Sequence, residues 1–195
     1  MCRIVVSEFV TLDGVMEDPG GSEGCERGGW AFRSDRGPDG DRFKLDELME
    51  ASALLLGRRT YEGFAAAWPD RTDEAGFAER MNTLPKYVVS STLQDPTWSN
   101  TTVIGGDVAS AVARLEQEVD GNVLVAGSAQ LVGALAENDL VDEYRLMVFP
   151  VVLGAGKKLF AGTAAAQPLA VVESRPSAEV VLLTLHRARE QAAAG

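Results

Sequence analysis

Short apolar runs at Ala53 to Leu56, Lys86 to Ser91 and Asn122 to Ala126 each close on a glycine or a cluster of hydroxyls, and stretches of helical spacing lie among them. From Asp142 onward the pattern changes: Asp142 to Val152, Leu169 to Ser174 and Ala178 to His186 are strand-like with no helical stretch between them. Strands alternating with helices build a parallel sheet, and consecutive strands build hairpins. The chain is therefore expected to be α/β, a mixed sheet that is parallel at first and antiparallel at its end.

The remaining elements fit that frame. Arg3 to Val10 is a β-branched, apolar run that stops at the turn-forming group Thr11-Leu12-Asp13-Gly14. Residues 17 to 42 lack any period, yet hold Trp30 and Phe32. The spacing of Phe43, Leu45, Leu48 and Met49 predicts a helix over Asp41 to Ala51. Further helices are predicted over Thr72 to Met81, over Val108 to Val119 with Asp107 as its N-cap, and over Ser128 to Glu137; Thr101 to Ile104 reads as a short strand. At 195 residues the chain suits one domain, here 1–187, followed by an Ala-rich tail at 188–195.

Charge narrows the partners. A net charge of -11 argues against nucleic acid and against an anionic membrane, both of which require a basic face. No apolar stretch approaches the roughly 20 residues that span a bilayer, and the first residues do not resemble a targeting signal, so a cytoplasmic location is expected. Two cysteines, Cys2 and Cys25, without a neighbouring His or Cys cluster, predict neither a disulfide framework nor a metal site. In so acidic a chain, a phosphate-bearing cofactor has to be gripped by local groups.

Three such groups stand after three strands. Gly57-Arg58-Arg59-Thr60 offers close backbone approach and two guanidinium forks, with Thr60 able to cap the turn that follows. Ser90-Ser91-Thr92 carries hydroxyls where a site selective for NAD would hold an acid for the ribose 2′-hydroxyl. Gly127-Ser128-Ala129-Gln130-Leu131 turns directly from strand to helix, which aims free N–H groups and a positive dipole end at a ligand. Each also reads, taken singly, as an ordinary turn. Their order, each at a strand's carboxyl end, is what points to a nucleotide.

With Phe9-Val10-Thr11-Leu12-Asp13-Gly14-Val15 in front and Phe149-Pro150-Val151-Val152-Leu153-Gly154 behind, these motifs resemble those of the dihydrofolate reductase-like superfamily. They are most similar to the reductase domain of riboflavin biosynthesis in a stand-alone form, over residues 3 to about 185. The resemblance implies a sheet of about eight strands, NADPH as cofactor, and a homodimer through the C-terminal strands. It further implies that Gly57 to Thr60, Ser90 to Thr92, Gly127 to Leu131 and Gly14 meet the cofactor. Leu12, Asp13, Trp30, Phe32, Asp41, Pro150 and Gly154 would then face the substrate.

Several of these residues have a second reading. Asp13 is the candidate catalytic carboxylate beside nicotinamide and substrate, or the turn residue that Asp-Gly favours. Trp30 and Phe32 form either a lid over a flat heterocycle or a small core beneath a loop. Asp41 stands near the position of the folate-reductase helix carboxylate, and equally reads as a helix-start residue favoured by the dipole. Lys157 and Lys158 either neutralise a substrate phosphate or are solvated, and His186 is assigned no role. The His/Cys zinc motif of the companion deaminase is not found in this sequence, so deamination is not expected of it. The function expected is NADPH-dependent reduction of a planar heterocycle or a ribosylamino-pyrimidine. The alternatives are folate reduction, or NADPH binding by a dimer that does no chemistry.

Overall fold

The computed structural model describes residues 1–161 and 166–188. The first strand, β1 (Cys2–Thr11), is followed by a 3₁₀ turn at Trp30–Arg33 and by α1 (Gly37–Glu50). Then come β2 (Ala51–Gly57), α2 (Arg58–Ala67), α3 (Phe77–Thr83), β3 (Lys86–Val89) and β4 (Thr101–Ile104). The chain continues through α4 (Val108–Glu118), β5 (Gly121–Val125), α5 (Ala129–Glu137), β6 (Glu143–Phe149), β7 (Leu169–Ser177) and β8 (Val180–Arg187). The strands form one eight-stranded sheet in the order β4-β3-β2-β5-β1-β6-β8-β7. All pairs from β4 to β6 are parallel, whereas β8 is antiparallel to both β6 and β7.

The parallel centre is apolar on both faces because helices cover both. Along β5, Val123 and Val125 pack with Leu55, Leu131 and Leu135 on one face, and Leu124 packs with Leu48, Leu54 and Tyr61 on the other. Each leucine fully withdrawn from water contributes about 2 kcal/mol. The edge strand β7 carries Pro176, which an edge tolerates because its missing N–H interrupts no interior ladder.

Several elements differ from expectation. Helix α1 begins at Gly37, because Pro38 in its first turn is pre-set for helical φ and extends the helix ahead of the apolar spacing. Residues 58–67 form a full helix where the sequence suggested only a turn. Thr60 sits inside that helix and caps nothing; Gly57 is the N-cap, and no side chain caps it. Tyr61, Phe64, Ala65 and Trp68 supply the missed apolar face. Helix α3 starts at Phe77 and not at Thr72, since the Asp73 carboxylate accepts the N–H groups of Phe77 and Ala78 at 2.9 and 2.6 Å and opens the helix there. Strand β6 stops before Pro150, and β8 begins after the turn at Ala178, whose φ is +47°. The Asp107 cap forms as expected, accepting the Ser110 N–H at 2.9 Å. The tail expected beyond residue 188 lies outside the described residues. Among the described residues, no helix is long and apolar enough to cross a membrane.

One register detail positions the site. β5 pairs with β1 from Cys2 to Val6 and with β2 from Ala51 to Leu55, and ends at Val125. β1 runs on to Thr11 along β6 alone, and β2 runs on to Gly57 along β3. Beyond Val125 the sheet therefore opens between β1 and β2, at the point where the strand order reverses.

Candidate active site

A cavity of about 1350 Å³ occupies this opening. Gly57 to Thr60, Ser90 to Thr92 and Gly127 to Leu131 all line it, so the three loops that the sequence singled out converge on one space. Helices α2 and α5 start side by side at its wall. The Gly57 N–H donates to the Gly127 carbonyl at 3.2 Å, and a methyl group on Gly127 would lie 2.8 Å from Thr60 Oγ1. Neither helix has a side-chain cap. The N–H groups of both first turns, and both positive dipole ends, are thus left for an anion.

Cations gather at the same wall. Arg58 pairs with Glu62 at 2.9 Å, and among the described residues Arg59 and Arg71 have no carboxylate partner. The Arg71 guanidinium lies over the Trp68 ring, 5.0 Å from its centre. Ser90 Oγ accepts the N–H groups of Thr92 and Leu93 at 3.1 and 3.0 Å, which shapes the loop and leaves Ser91 and Thr92 exposed.

The cavity floor holds residues to which sequence reasoning gave no role. Ser7 and Glu8 of β1 and Lys44 and Glu47 of α1 all line it. Ser7 Oγ donates to Glu47 Oε1 at 2.6 Å, and Lys44 Nζ donates to Ser7 Oγ at 2.5 Å and forms an ion pair with Glu47. The Lys44 ammonium also sits 5.0 Å from the centre of the Phe9 ring. Glu8 has no such cation. Burial, with the Glu47 charge adding to it, pushes its carboxyl up to about 8, against the opposing pull of Lys44 and the Gly127 N–H. Glu8 Oε1 and Glu47 Oε2 are buried without a hydrogen-bond partner. The signal for this floor was present in the sequence: Ser7-Glu8 is a polar pair that interrupts the apolar run from Ile4 to Val10.

The expected substrate-facing residues divide into two groups. Phe32, 75% exposed, and Asp41 line the cavity; Asp41 lies within α1, not at its start, and forms an ion pair with Arg36 at 2.5 Å. Leu12, Asp13, Pro150 and Gly154 do not line the cavity, and neither does Gly14, which was expected to meet the cofactor. Asp13 accepts the Thr11 hydroxyl at 2.6 Å and the N–H groups of Gly154 and Leu153 at 2.8 and 3.2 Å. The Thr11 hydroxyl above all, with those two N–H groups, holds its carboxyl down to about 2. That is a locked turn, because every bond to the carboxylate is made within its own corner of the fold. Trp30 is buried against Phe149, ring centres 5.3 Å apart, and belongs to a small core with Met147 and Leu182, so it is no lid. Lys157 lines the cavity and pairs with Glu17, and His186 meets Glu143 at 2.8 Å, away from the site.

Comparison with known proteins places the whole chain. Residues 3–183 match the sequence profile of the RibD C-terminal domain. The uncharacterized protein YyaP of Bacillus subtilis is 29% identical over 188 residues, covering 94% of each chain. YwjB of the same organism is 32% identical over 122 residues, 63% of this chain. Among solved structures, a putative riboflavin biosynthesis protein from Shewanella sp. PV-4 superposes with a TM-score of 0.77 at 20% identity, over 96% of this chain and 99% of that one. The diaminohydroxyphosphoribosylaminopyrimidine deaminase/5-amino-6-(5-phosphoribosylamino)uracil reductase of Thermotoga maritima superposes with a TM-score of 0.67 at 18% identity. That match covers 95% of this chain and 56% of the Thermotoga chain.

Proposed function

The chain belongs to the RibD C-terminal domain family, and on that premise we propose that it is an NADPH-dependent reductase of a planar heterocycle or ribosylamino-pyrimidine. One observation carries the reading. Two uncapped helix N-termini, Arg58 and Arg59, and a hydroxyl loop without an acid converge on a single cavity at the switch point of the sheet.

That arrangement fits a phosphorylated dinucleotide. The first turns of α2 and α5 would hold the diphosphate through backbone N–H groups, and Arg58 and Arg59 would add charge-assisted bonds. Ser91 and Thr92, with a guanidinium in the same cavity that has no carboxylate partner among the described residues, suit a 2′-phosphate better than a 2′-hydroxyl. When bound, NADPH supplies a hydride; the residues of this chain hold the acceptor, keep water out and manage the proton. Phe32, Phe64 and Trp68 provide apolar wall for a flat ring.

A second reading, reduction of a pterin, is favoured by Glu47, a buried carboxylate on the first helix that faces the cavity. The reading of a homodimer through the C-terminal strands is supported by Val171, Val172 and Val181, which leave apolar surface exposed on the outer hairpin.

Calorimetric titration with NADPH and NADH tests the proposal. Tighter binding of NADPH, weakened about tenfold or more by Arg59→Ala or Ser91→Ala, is the expected result, at roughly 1.4 kcal/mol per lost contact to a charged group. Absence of binding by either nucleotide at millimolar concentration overturns it.

A further inference from the structure

The cavity floor contains a buried acid, Glu8, that the proposed cofactor contacts leave unused. Glu8 stands where β1 has lost β5 as a neighbour, 9% exposed, and its Oε1 has neither solvent nor a hydrogen-bond partner. The groups facing it are Lys44 and Glu47 from α1 and the Gly127 N–H from the β5–α5 junction; across the ladder to β6 its register partner is the apolar Leu146. Of the two carboxyls, Glu47 has the ammonium as its ion-pair partner and Glu8 has none. A buried carboxylate oxygen with no donor is costly, and a neighbouring negative charge makes it costlier. The arrangement is relieved when Glu8 carries a proton and a ligand atom supplies the missing partner.

We propose that Glu8 is the proton-donating catalytic residue of this cavity, its neutral carboxyl hydrogen-bonding the nitrogen or oxygen of the bound acceptor that is bonded to the carbon to be reduced. The inference rests on the reductase reading. As the carbon next to that atom receives a hydride from the dihydronicotinamide, which is thereby oxidised, the Glu8 O–H bond breaks and an N–H or O–H bond forms on the acceptor. The carboxylate left behind recovers its proton from solvent once product leaves. The ordinary range of a glutamate would leave almost no acid form at neutral pH, whereas a carboxyl raised to about 8 remains a donor there.

The test uses the full chain and Glu8→Gln, which preserves shape and a donor group but has no proton to give. Infrared difference spectra of the ligand-free protein, recorded across a pH titration, should show a protonated-carboxyl carbonyl band that fades near pH 8 and is missing in Glu8→Gln. With NADPH and 5-amino-6-(5-phosphoribosylamino)uracil or dihydrofolate as acceptor, Glu8→Gln should bind NADPH as the unaltered chain does. It should transfer hydride about 100-fold more slowly or worse, without the fall in rate above about pH 8 that is expected of the unaltered chain. A band that survives in Glu8→Gln, or that is absent from the unaltered chain at neutral pH, overturns the proposal. So does an unaltered rate in Glu8→Gln when the parent chain reduces one of the acceptors. If the parent chain reduces neither acceptor, the reductase reading falls and this proposal falls with it.

Discussion

Replacing Glu8 by Gln should change how stability depends on pH, whatever the cavity binds. The Glu8 carboxyl is raised from 4.5 to about 8 in the folded protein, with burial as the first cause and the Glu47 charge adding to it. Between those values the folded state holds a proton that the unfolded chain releases. Unfolding therefore becomes easier as pH rises through this window, and the dependence ends above the folded value. Each tenfold difference in proton affinity corresponds to roughly 1.4 kcal/mol, so the full window is worth up to about 5 kcal/mol. Urea unfolding of both proteins, measured at intervals from below to above the window, isolates the effect because titrations remote from residue 8 cancel in the difference. Relative to the unaltered chain, Glu8→Gln should gain stability steadily with pH and level off above about 8. A difference constant to within about 0.5 kcal/mol across the window would falsify the assignment of a proton to Glu8.

Two further outcomes test the structural roles assigned here. Lys86 is fully buried, and its ammonium donates to the carbonyls of Asn82, Leu84 and Ser99 at 2.9, 2.8 and 3.1 Å while lying 4.3 Å from the centre of the Trp98 ring. Lys86→Met strands those carbonyls and should lower urea stability by about 3 kcal/mol; a loss below about 1 kcal/mol would mean that water replaces the ammonium. Asp13→Ala should speed hydrogen exchange at Leu153 and Gly154, whose N–H groups it accepts, and leave the Kd for NADPH unchanged. A tenfold weaker Kd would return Asp13 to the binding machinery.

What could be read from the sequence followed the range of the interaction involved. β5 and α4 were legible because burial on two faces and an Asp cap are local signals. The three loops that meet at the cavity were legible because glycines and hydroxyls at strand ends mark close backbone approach. Helix α2 was masked by Arg58-Arg59 at its start and Gly63 within it, since its apolar residues become a face only once β2 and β3 lie beneath them. Asp13 misled because two of its three partners, Leu153 and Gly154, lie 140 and 141 residues away in sequence. On α1, Glu47 is one of several acids, and only the docked helix distinguishes the one turned toward Ser7 from those in solvent. Ser7-Glu8 was the legible clue, a polar break in a strand with no solvent-facing side.

The central placement of β5 also imposes an order on assembly. β1 is the first strand in the chain, yet its two ladder partners are β5 and β6, and it makes no ladder with β2. A chain emerging from a ribosome therefore carries both edges of β1 unpaired until residues beyond 120 are available. The first half of the protein has only β2, β3 and β4 to pair among themselves. Parallel pairings of such long range close slowly and leave apolar edges open meanwhile. Nascent fragments ending before β5 should be the species most prone to aggregate and most dependent on chaperones, because until β5 is made the centre of the sheet has no strand to join its two halves.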